Sequence, residues 1–215
     1  MNDEAGGDSV WQWGLAEFRD RTASADATPG GGSAAMVGAA IGLGLVLMAL
    51  RVTANRKDAD TDALAPLIES GQRRMAELGG YADADIAVFD GYMAALRLPR
   101  GTDEEKAARR RAMHQAAVAA TEMPLNAAQA TLEALDLARQ AAGVAHPNIL
   151  SDVAAGAALL FGALTAVLFN VDINLKSLKD DPAATDYARS RAHLQQAAEY
   201  RRAAVAVTVT ERLGP

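Results

Sequence analysis

The sequence predicts an all-α fold, a single-domain bundle of about five long helices preceded by a short N-terminal helix. Half of the 215 residues are apolar, but only 5% are aromatic. Alanine is abundant and alternating Val, Ile and Thr are scarce, which favours helices packed through small side chains over a sheet. A chain of this length can bury one large core. We therefore expect residues 1–8 to be disordered and residues 9–215 to form one helical domain.

Apolar periodicity and helix-end signals predict the elements in order. The first is an amphipathic helix over residues 10–23, with Trp11, Leu15 and Phe18 on one face. The long helices are expected at residues 33–55, 59–97, 102–143, 151–178 and 182–212. Thr102 and Glu105 form a capping box at the start of the fourth helix. Bends are expected near Pro66 or Gly79-Gly80 in the third helix and near Pro124 in the fourth.

Two uncharged stretches, residues 30–50 and 153–171, approach the ~20 residues that a membrane span requires. Both are rich in Ala and Gly, and the second ends in Asn170, Asp172 and Asn174, which are costly at membrane depth. We interpret them as buried helices of a bundle and expect no membrane association. The acidic N-terminus lacks an apolar segment and predicts no signal peptide.

The charge and composition exclude several classes of function. A net charge of −6 and a pI near 5.1 argue against a nucleic-acid surface. The absence of cysteine excludes disulfides, thiolate metal sites and a Cys nucleophile, and is compatible with a cytosolic location. His114, His146 and His193 are scattered without the spacing of a metal site, so no metal is expected.

The run from Ala27 to Ala35 contains three consecutive glycines, Gly30, Gly31 and Gly32, between Pro29 and Ser33. Glycine lets backbone N–H groups approach a ligand closely, and the start of a helix attracts a carboxylate, a phosphate or a polar ring edge. Pro29 would fix the entry into the helix, and Thr28 or Ser33 would cap it. The alternative is a flexible turn that lets two helices pack tightly, and both interpretations remain open.

The predicted fifth helix carries polar groups at both ends. Asn170 and Asn174 are spaced i and i+4, so their amides project from one face as ligand contacts or as satisfied interhelical amides. Ser151 can cap the helix start, which would leave Asp152 for a ring edge or a proton. Asp152 and Asn170 are about 27 Å apart along a straight helix, and the glycines are about 33 Å from the basic turn at Arg56 and Lys57. One site would therefore join the glycines to one end of the fifth helix, with its other parts supplied by another helix end or by a second subunit. We expect a groove at or near a two-fold dimer interface.

Several motifs, in their order and spacing, resemble the cyclodeaminase/cyclohydrolase family, which includes the C-terminal domain of formiminotransferase-cyclodeaminase and stand-alone methenyltetrahydrofolate cyclohydrolases. The resemblance covers nearly the whole chain and implies an all-helical homodimer that acts on tetrahydrofolate. The motifs are Pro29-Gly30-Gly31-Gly32-Ser33, Asp85 and Asp90 around Phe89, Leu98-Pro99-x-x-Thr102-x-Glu104-Glu105-Lys106, Pro124-Leu125, Ser151-Asp152 and Asn170-Val171-x-Ile173-Asn174.

The resemblance implies hydrolysis of 5,10-methenyltetrahydrofolate to 10-formyltetrahydrofolate, with a folate as substrate and no tightly bound cofactor. Cyclodeamination of formiminotetrahydrofolate and a noncatalytic module that binds a pterin or a partner are the alternatives. The cyclohydrolase is preferred because no formiminotransferase domain precedes the helical region. The resemblance suggests Gly30, Gly31, Gly32, Ser33, Asn170 and Asn174 as substrate-binding residues. Whether Asp85 and Asp90 reach the cleft or lie in solvent remains open.

The basic turn departs from the family pattern. Relatives typically carry Gly-Lys-Lys-Lys-Tyr, whereas this chain reads Asn55-Arg56-Lys57-Asp58-Ala59. Arginine stays charged and is a poor general base, but it binds carboxylates well. We therefore expect Arg56 to hold an anion and Lys57 to transfer the proton, with Asp152 as the third catalytic candidate. A different one-carbon substrate and a loss of chemistry are the other interpretations.

Overall fold

A computed structural model describes residues 9–214, and the expected disorder of residues 1–8 lies outside this range. The described residues form six α-helices and three short 3₁₀ turns, and they contain no strand, so the all-α prediction is confirmed. The helices are α1 Leu15–Thr22, α2 Gly31–Ala54, α3 Thr61–Leu96, α4 Asp103–Val144, α5 Leu150–Asn174 and α6 Ala184–Leu213. The 3₁₀ turns are Val10–Gln12, Pro147–Ile149 and Leu175–Leu178.

The core is built around α2 and α5, which run antiparallel and touch at Gly42 and Gly156. A Cβ on Gly42 would lie 2.9 Å from the carbonyl oxygen of Gly156, so only glycine permits this approach. Helices α3, α4 and α6 pack around the pair and complete one continuous hydrophobic core. The prediction of close packing through small residues is confirmed at this crossing.

The two apolar stretches that resembled membrane spans are these central helices. Both are long and apolar enough to cross a membrane. In their most apolar windows, 67% of the α2 residues and 44% of those in the segment Pro147–Leu178 are buried inside the structure. Packing against neighbouring helices therefore accounts for much of their apolar composition.

The N-terminal segment differs from the single amphipathic helix that periodicity predicts. A 3₁₀ turn covers Val10–Gln12, and α1 begins only at Leu15, whose side chain is 81% exposed. The Trp11 indole Nε1–H donates to the carbonyl of Gly79 at 2.9 Å, so Trp11 packs on α3 while Leu15 faces solvent. The expected common face was wrong because hydrogen bonds to α3, including those of Ser9 and Val10 to Asp83, fix this segment.

The long helices follow the predicted order with small shifts at their ends. The capping box of α4 is confirmed: Thr102 Oγ1 accepts the Glu105 N–H at 3.1 Å, and Glu105 Oε2 accepts the Thr102 N–H at 3.0 Å. Helices α3 and α4 continue through Pro66 and Pro124, and α3 also continues through its glycine pair. The expected end of the fifth helix, residues 175–178, is a 3₁₀ turn.

Candidate active site

The glycine-rich start of α2 opens on a cavity of about 410 Å³. Helix α3 supplies Asp85 and two aromatic residues to its wall, α4 supplies Pro124, and the C-terminal end of α5 supplies Asn170 and Asn174. The volume lies in the range of small-molecule sites. The structure thus brings the predicted glycines and both predicted amides to one place.

The side chain of Asp85, on α3, caps the start of α2. The N-cap is Gly30, which offers no side chain, and Asp85 Oδ2 accepts the backbone N–H of Ser33 at 2.9 Å. The Ser33 hydroxyl is fully buried, where the Ala82 carbonyl is its closer acceptor at 2.8 Å and the same Asp85 oxygen lies 3.1 Å away. The expectation that Thr28 or Ser33 would cap the helix was wrong, because Ser33 lies inside the first turn and α3 delivers a carboxylate instead.

The three consecutive glycines meet three different surroundings. A Cβ on Gly30 would lie 3.3 Å from the carbonyl oxygen of Ala27, and a Cβ on Gly32 would overlap the Asp85 carboxylate. A Cβ on Gly31 would meet nothing within 4 Å, and this residue is exposed on the cavity wall. Gly32 is therefore required for packing, whereas Gly31 leaves room at the cavity.

The environment of Asp85 disfavours its charge. Burial raises the pKa of this carboxyl above its ordinary value of 3.8, and the two hydrogen bonds from Ser33 oppose the rise. A desolvated carboxylate with few donors is favourable for binding an N–H group from a ligand.

Asn174 compensates for a proline in the neighbouring helix. Pro124 has no N–H, so the carbonyl of Ala120, four residues earlier in α4, lacks its helical donor. The Asn174 Nδ2 group donates to that carbonyl. Among the described residues this bond engages the amide nitrogen and no donor reaches Oδ1. The Asn174 NH₂ group is therefore a satisfied interhelical amide, whereas Oδ1 remains available to a ligand.

The basic turn with the candidate catalytic residues Arg56 and Lys57 lies at the opposite end of α2, about 36 Å from the glycines along the helix. Arg56 Nε is 3.2 Å from Asp58 Oδ1 within the basic turn, and Lys57 is exposed beside it. The N–H of His146 donates to Thr53 Oγ1 at 2.9 Å, which places the α4–α5 connection next to this turn.

Asp152 is half-buried in the first turn of α5, near that connection. The helix begins at Leu150 with Ile149 as N-cap and without a side-chain cap, so the expected capping by Ser151 was wrong. The structure keeps Arg56, Lys57 and Asp152 apart from the glycine cavity within one chain, as the helix-length estimate predicted.

Sequence reasoning missed the aromatic wall of the cavity. Phe89 and Tyr92 line it together with Asp85. The three residues are spaced i, i+4 and i+7, a pattern that puts them on one helix face and could have indicated the site. Asp90, the other acidic residue considered, is exposed and is not part of the wall. Within residues 9–214, no three His, Asp or Glu side chains gather as metal ligands.

Comparison with known proteins supports a relation to folate enzymes. The sequence profile of the formiminotransferase-cyclodeaminase family matches residues 14–193. A methenyltetrahydrofolate cyclohydrolase of Methylorubrum extorquens is 35% identical over 166 residues, which are 76% of this chain and 79% of that protein. The formimidoyltransferase-cyclodeaminase of Gallus gallus is 30% identical over 200 residues, 92% of this chain but only 37% of that protein.

The fold is also that of a solved relative. The crystal structure of formiminotetrahydrofolate cyclodeaminase from Thermotoga maritima matches with a TM-score of 0.82 at 21% identity and covers 93% of this chain and 97% of that one. The family profile covers most of the sequence, and relatives of 30% identity or more extend over three quarters of it or more. The chain therefore belongs to the formiminotransferase-cyclodeaminase family.

Proposed function

We propose that this chain hydrolyses 5,10-methenyltetrahydrofolate to 10-formyltetrahydrofolate in the cytosol. The observation that carries the proposal is the cavity at the start of α2, where a carboxylate, two amides and two aromatic rings converge. The cyclohydrolase of Methylorubrum extorquens, 35% identical and matched over 79% of its length, favours this reaction over others known in the family.

The reaction requires binding and proton transfer rather than a tightly bound cofactor. The methenyl carbon between N5 and N10 is part of a cationic amidine and is already electrophilic. Water forms a C–O bond to this carbon and loses a proton to give a carbinolamine. The carbinolamine hydroxyl then gives up its proton and forms the C=O bond of the formyl group, while the C–N5 bond breaks and N5 accepts a proton. The protein has to orient the ring and move protons. We assign substrate binding to the cavity-lining Gly30, Gly31, Gly32, Asn170 and Asn174. Ser33 is fully buried, and we assign it to holding Asp85 rather than to direct contact with the substrate.

A second copy of the chain completes the proposed site. Helices α2 and α5 expose apolar side chains next to their mutual contact, which we call the α2–α5 face: Ile41, Met48, Val52, Leu159, Phe169 and Ile173. Phe169 is 58% exposed and Ile173 is 62% exposed, and Ile173 also lines the cavity. An apolar face of this kind is typical of a subunit interface. Because the face continues into the cavity, a partner that covers it also reaches the substrate.

Two-fold symmetry then brings the start of α2 in one copy next to the end of α2 in the other. The glycine cavity lies at one end of this helix and the basic turn at the other. A two-fold axis across the middle of the α2–α5 face places the partner's Lys57 beside the cavity of the first copy. We assign proton transfer to Lys57 and Asp152, and binding of a folate carboxylate to Arg56.

The activity is tested by following the near-ultraviolet absorbance of methenyltetrahydrofolate at neutral pH after subtraction of spontaneous hydrolysis. The protein is expected to accelerate the loss of absorbance, and Gly31→Val is expected to abolish most of the acceleration because its side chain enters the cavity. Gly143→Val is the matched control, since Gly143 is exposed outside the cavity and likewise has open space for a Cβ. Hydrolysis at the spontaneous rate with the wild-type protein would exclude the proposed reaction.

Cyclodeamination is the second candidate, supported by the match to 92% of this chain in the Gallus gallus enzyme. In that reaction N10 attacks the formimino carbon and ammonia leaves. Release of ammonia from formiminotetrahydrofolate, without acceleration of methenyl hydrolysis, would favour it.

A further inference from the structure

The two carboxylate oxygens of Asp85 have different surroundings. Oδ2 is occupied by Ser33, which approaches it with its N–H at 2.9 Å and its hydroxyl at 3.1 Å. Oδ1 packs against Gly32 and receives no donor from the described residues, although Asp85 lines the cavity. A half-buried carboxylate oxygen without a donor is costly, and a ligand N–H would remove that cost.

The rest of the cavity wall fits a flat ring with N–H donors. Among the described residues that line the cavity, Asp85 is the only charged one. Phe89 and Tyr92 follow it on the same face of α3 and offer aromatic surface to a planar ring. A wall with one carboxylate and no cation favours a donor-bearing group over an anion.

We propose that Asp85 is a substrate-binding residue whose Oδ1 accepts a hydrogen bond from the 2-amino group on the 2-amino-4-oxopyrimidine edge of the folate. This proposal rests on the proposed function, because it assumes a folate in the cavity. It gives Asp85 two tasks: Oδ2 fixes the start of α2, and Oδ1 recognises the ring. The methenyl cation then lies farther from Asp85, toward the partner subunit's basic turn.

The test compares Asp85→Asn with Asp90→Asn, which makes the same change at an exposed residue of the same helix outside the cavity. In Asp85→Asn the amide oxygen can still accept the Ser33 N–H, so its NH₂ group would occupy the Oδ1 position and oppose the ring donors. The probe is 5-formyltetrahydrofolate, which has the pyrimidine edge but no methenyl cation. Calorimetry should show that Asp85→Asn weakens binding by at least about tenfold, with no change for Asp90→Asn.

A second ligand identifies the group that is recognised. A folate analogue with a methyl group in place of the 2-amino group should bind the wild type roughly tenfold more weakly than its parent, but should lose little further affinity in Asp85→Asn. Equal losses in both proteins would overturn the assignment. So would unchanged affinity of Asp85→Asn for 5-formyltetrahydrofolate, or a fall in kcat alone, which would indicate a proton-transfer role.

Two controls separate this proposal from its premises. Circular dichroism and the melting temperature of Asp85→Asn establish that the variant is folded. Ser33→Ala, which removes the hydroxyl next to Oδ2 and its bond to the Ala82 carbonyl but keeps the Ser33 N–H, shows the effect of loosening the packing around Asp85 without changing Oδ1. If the wild type binds no reduced folate, the proposed function fails. If the wild type binds and Asp85→Asn binds equally well, only the role of Asp85 fails.

Discussion

At the scale of single residues, alanine substitutions at the adjacent Gly31 and Gly32 are expected to affect the melting temperature differently. The Cβ of Gly32→Ala would overlap the Asp85 carboxylate and displace it from the Ser33 N–H. Leaving this N–H and the carboxylate unpaired costs about 1–3 kcal/mol, a fall in melting temperature of roughly 3–10 °C for a chain of this size. Gly31→Ala has open space and should leave the melting temperature unchanged or raise it slightly. Differential scanning calorimetry of both variants checks the pair.

Equal melting temperatures for the two variants would contradict this account of the glycine run. The sequence was sufficient to predict that these glycines begin a helix, and the binding role of Gly31, which lines the cavity, stays a prediction. It was not sufficient to predict that Asp85 accepts the Ser33 N–H and occupies the space above Gly32, because this hydrogen bond joins residues 52 positions apart. Neither residue's local propensity carries this information, and only the packing of α2 on α3 supplies it.

At the scale of helices, Pro124 and Asn174 form one unit across α4 and α5. In the wild type, Asn174→Ala should cost about 1–3 kcal/mol, because the Ala120 carbonyl loses its donor. In a Pro124→Ala background the backbone N–H of residue 124 can bond this carbonyl, so Asn174→Ala should cost at least about 0.5 kcal/mol less. Urea unfolding of the four proteins gives the coupling energy.

Additive losses of stability in that cycle would mean that Asn174 does not compensate for Pro124. Asn170→Ala, one turn earlier, is the matched control that should not couple to Pro124.

Periodicity predicted the long helices well, since their order and most of their ends are correct. The N-terminal segment was the exception. Its periodicity fits one amphipathic helix, but hydrogen bonds of Ser9 and Val10 to Asp83 and of Trp11 to Gly79 outweigh that preference.

At the scale of the molecule, the length of α2 determines how a site can be assembled. Its 24 residues separate the glycine cavity from the basic turn by about 36 Å, more than a folate ring spans. Helix length alone was sufficient to predict this separation. Which side of the bundle would join the proposed partner could not be predicted, because the apolar face is apparent only when the packed sides of α2 and α5 are known.

Mixing two variants tests the shared site directly. Lys57→Ala damages the basic turn, Gly31→Val damages the cavity, and each homodimer is expected to lack most of its activity. A two-fold hybrid of the two chains contains one site with both defects and one site with neither. An equal mixture that exchanges subunits freely should therefore recover roughly a quarter of the wild-type activity, measured as methenyltetrahydrofolate hydrolysis per chain.

Native mass spectrometry confirms that hybrids form, and Lys57→Ala taken alone through the same procedure is the control. Hybrids without recovered activity would show that each chain uses its own basic turn or none, and would exclude the two-fold arrangement across the α2–α5 face.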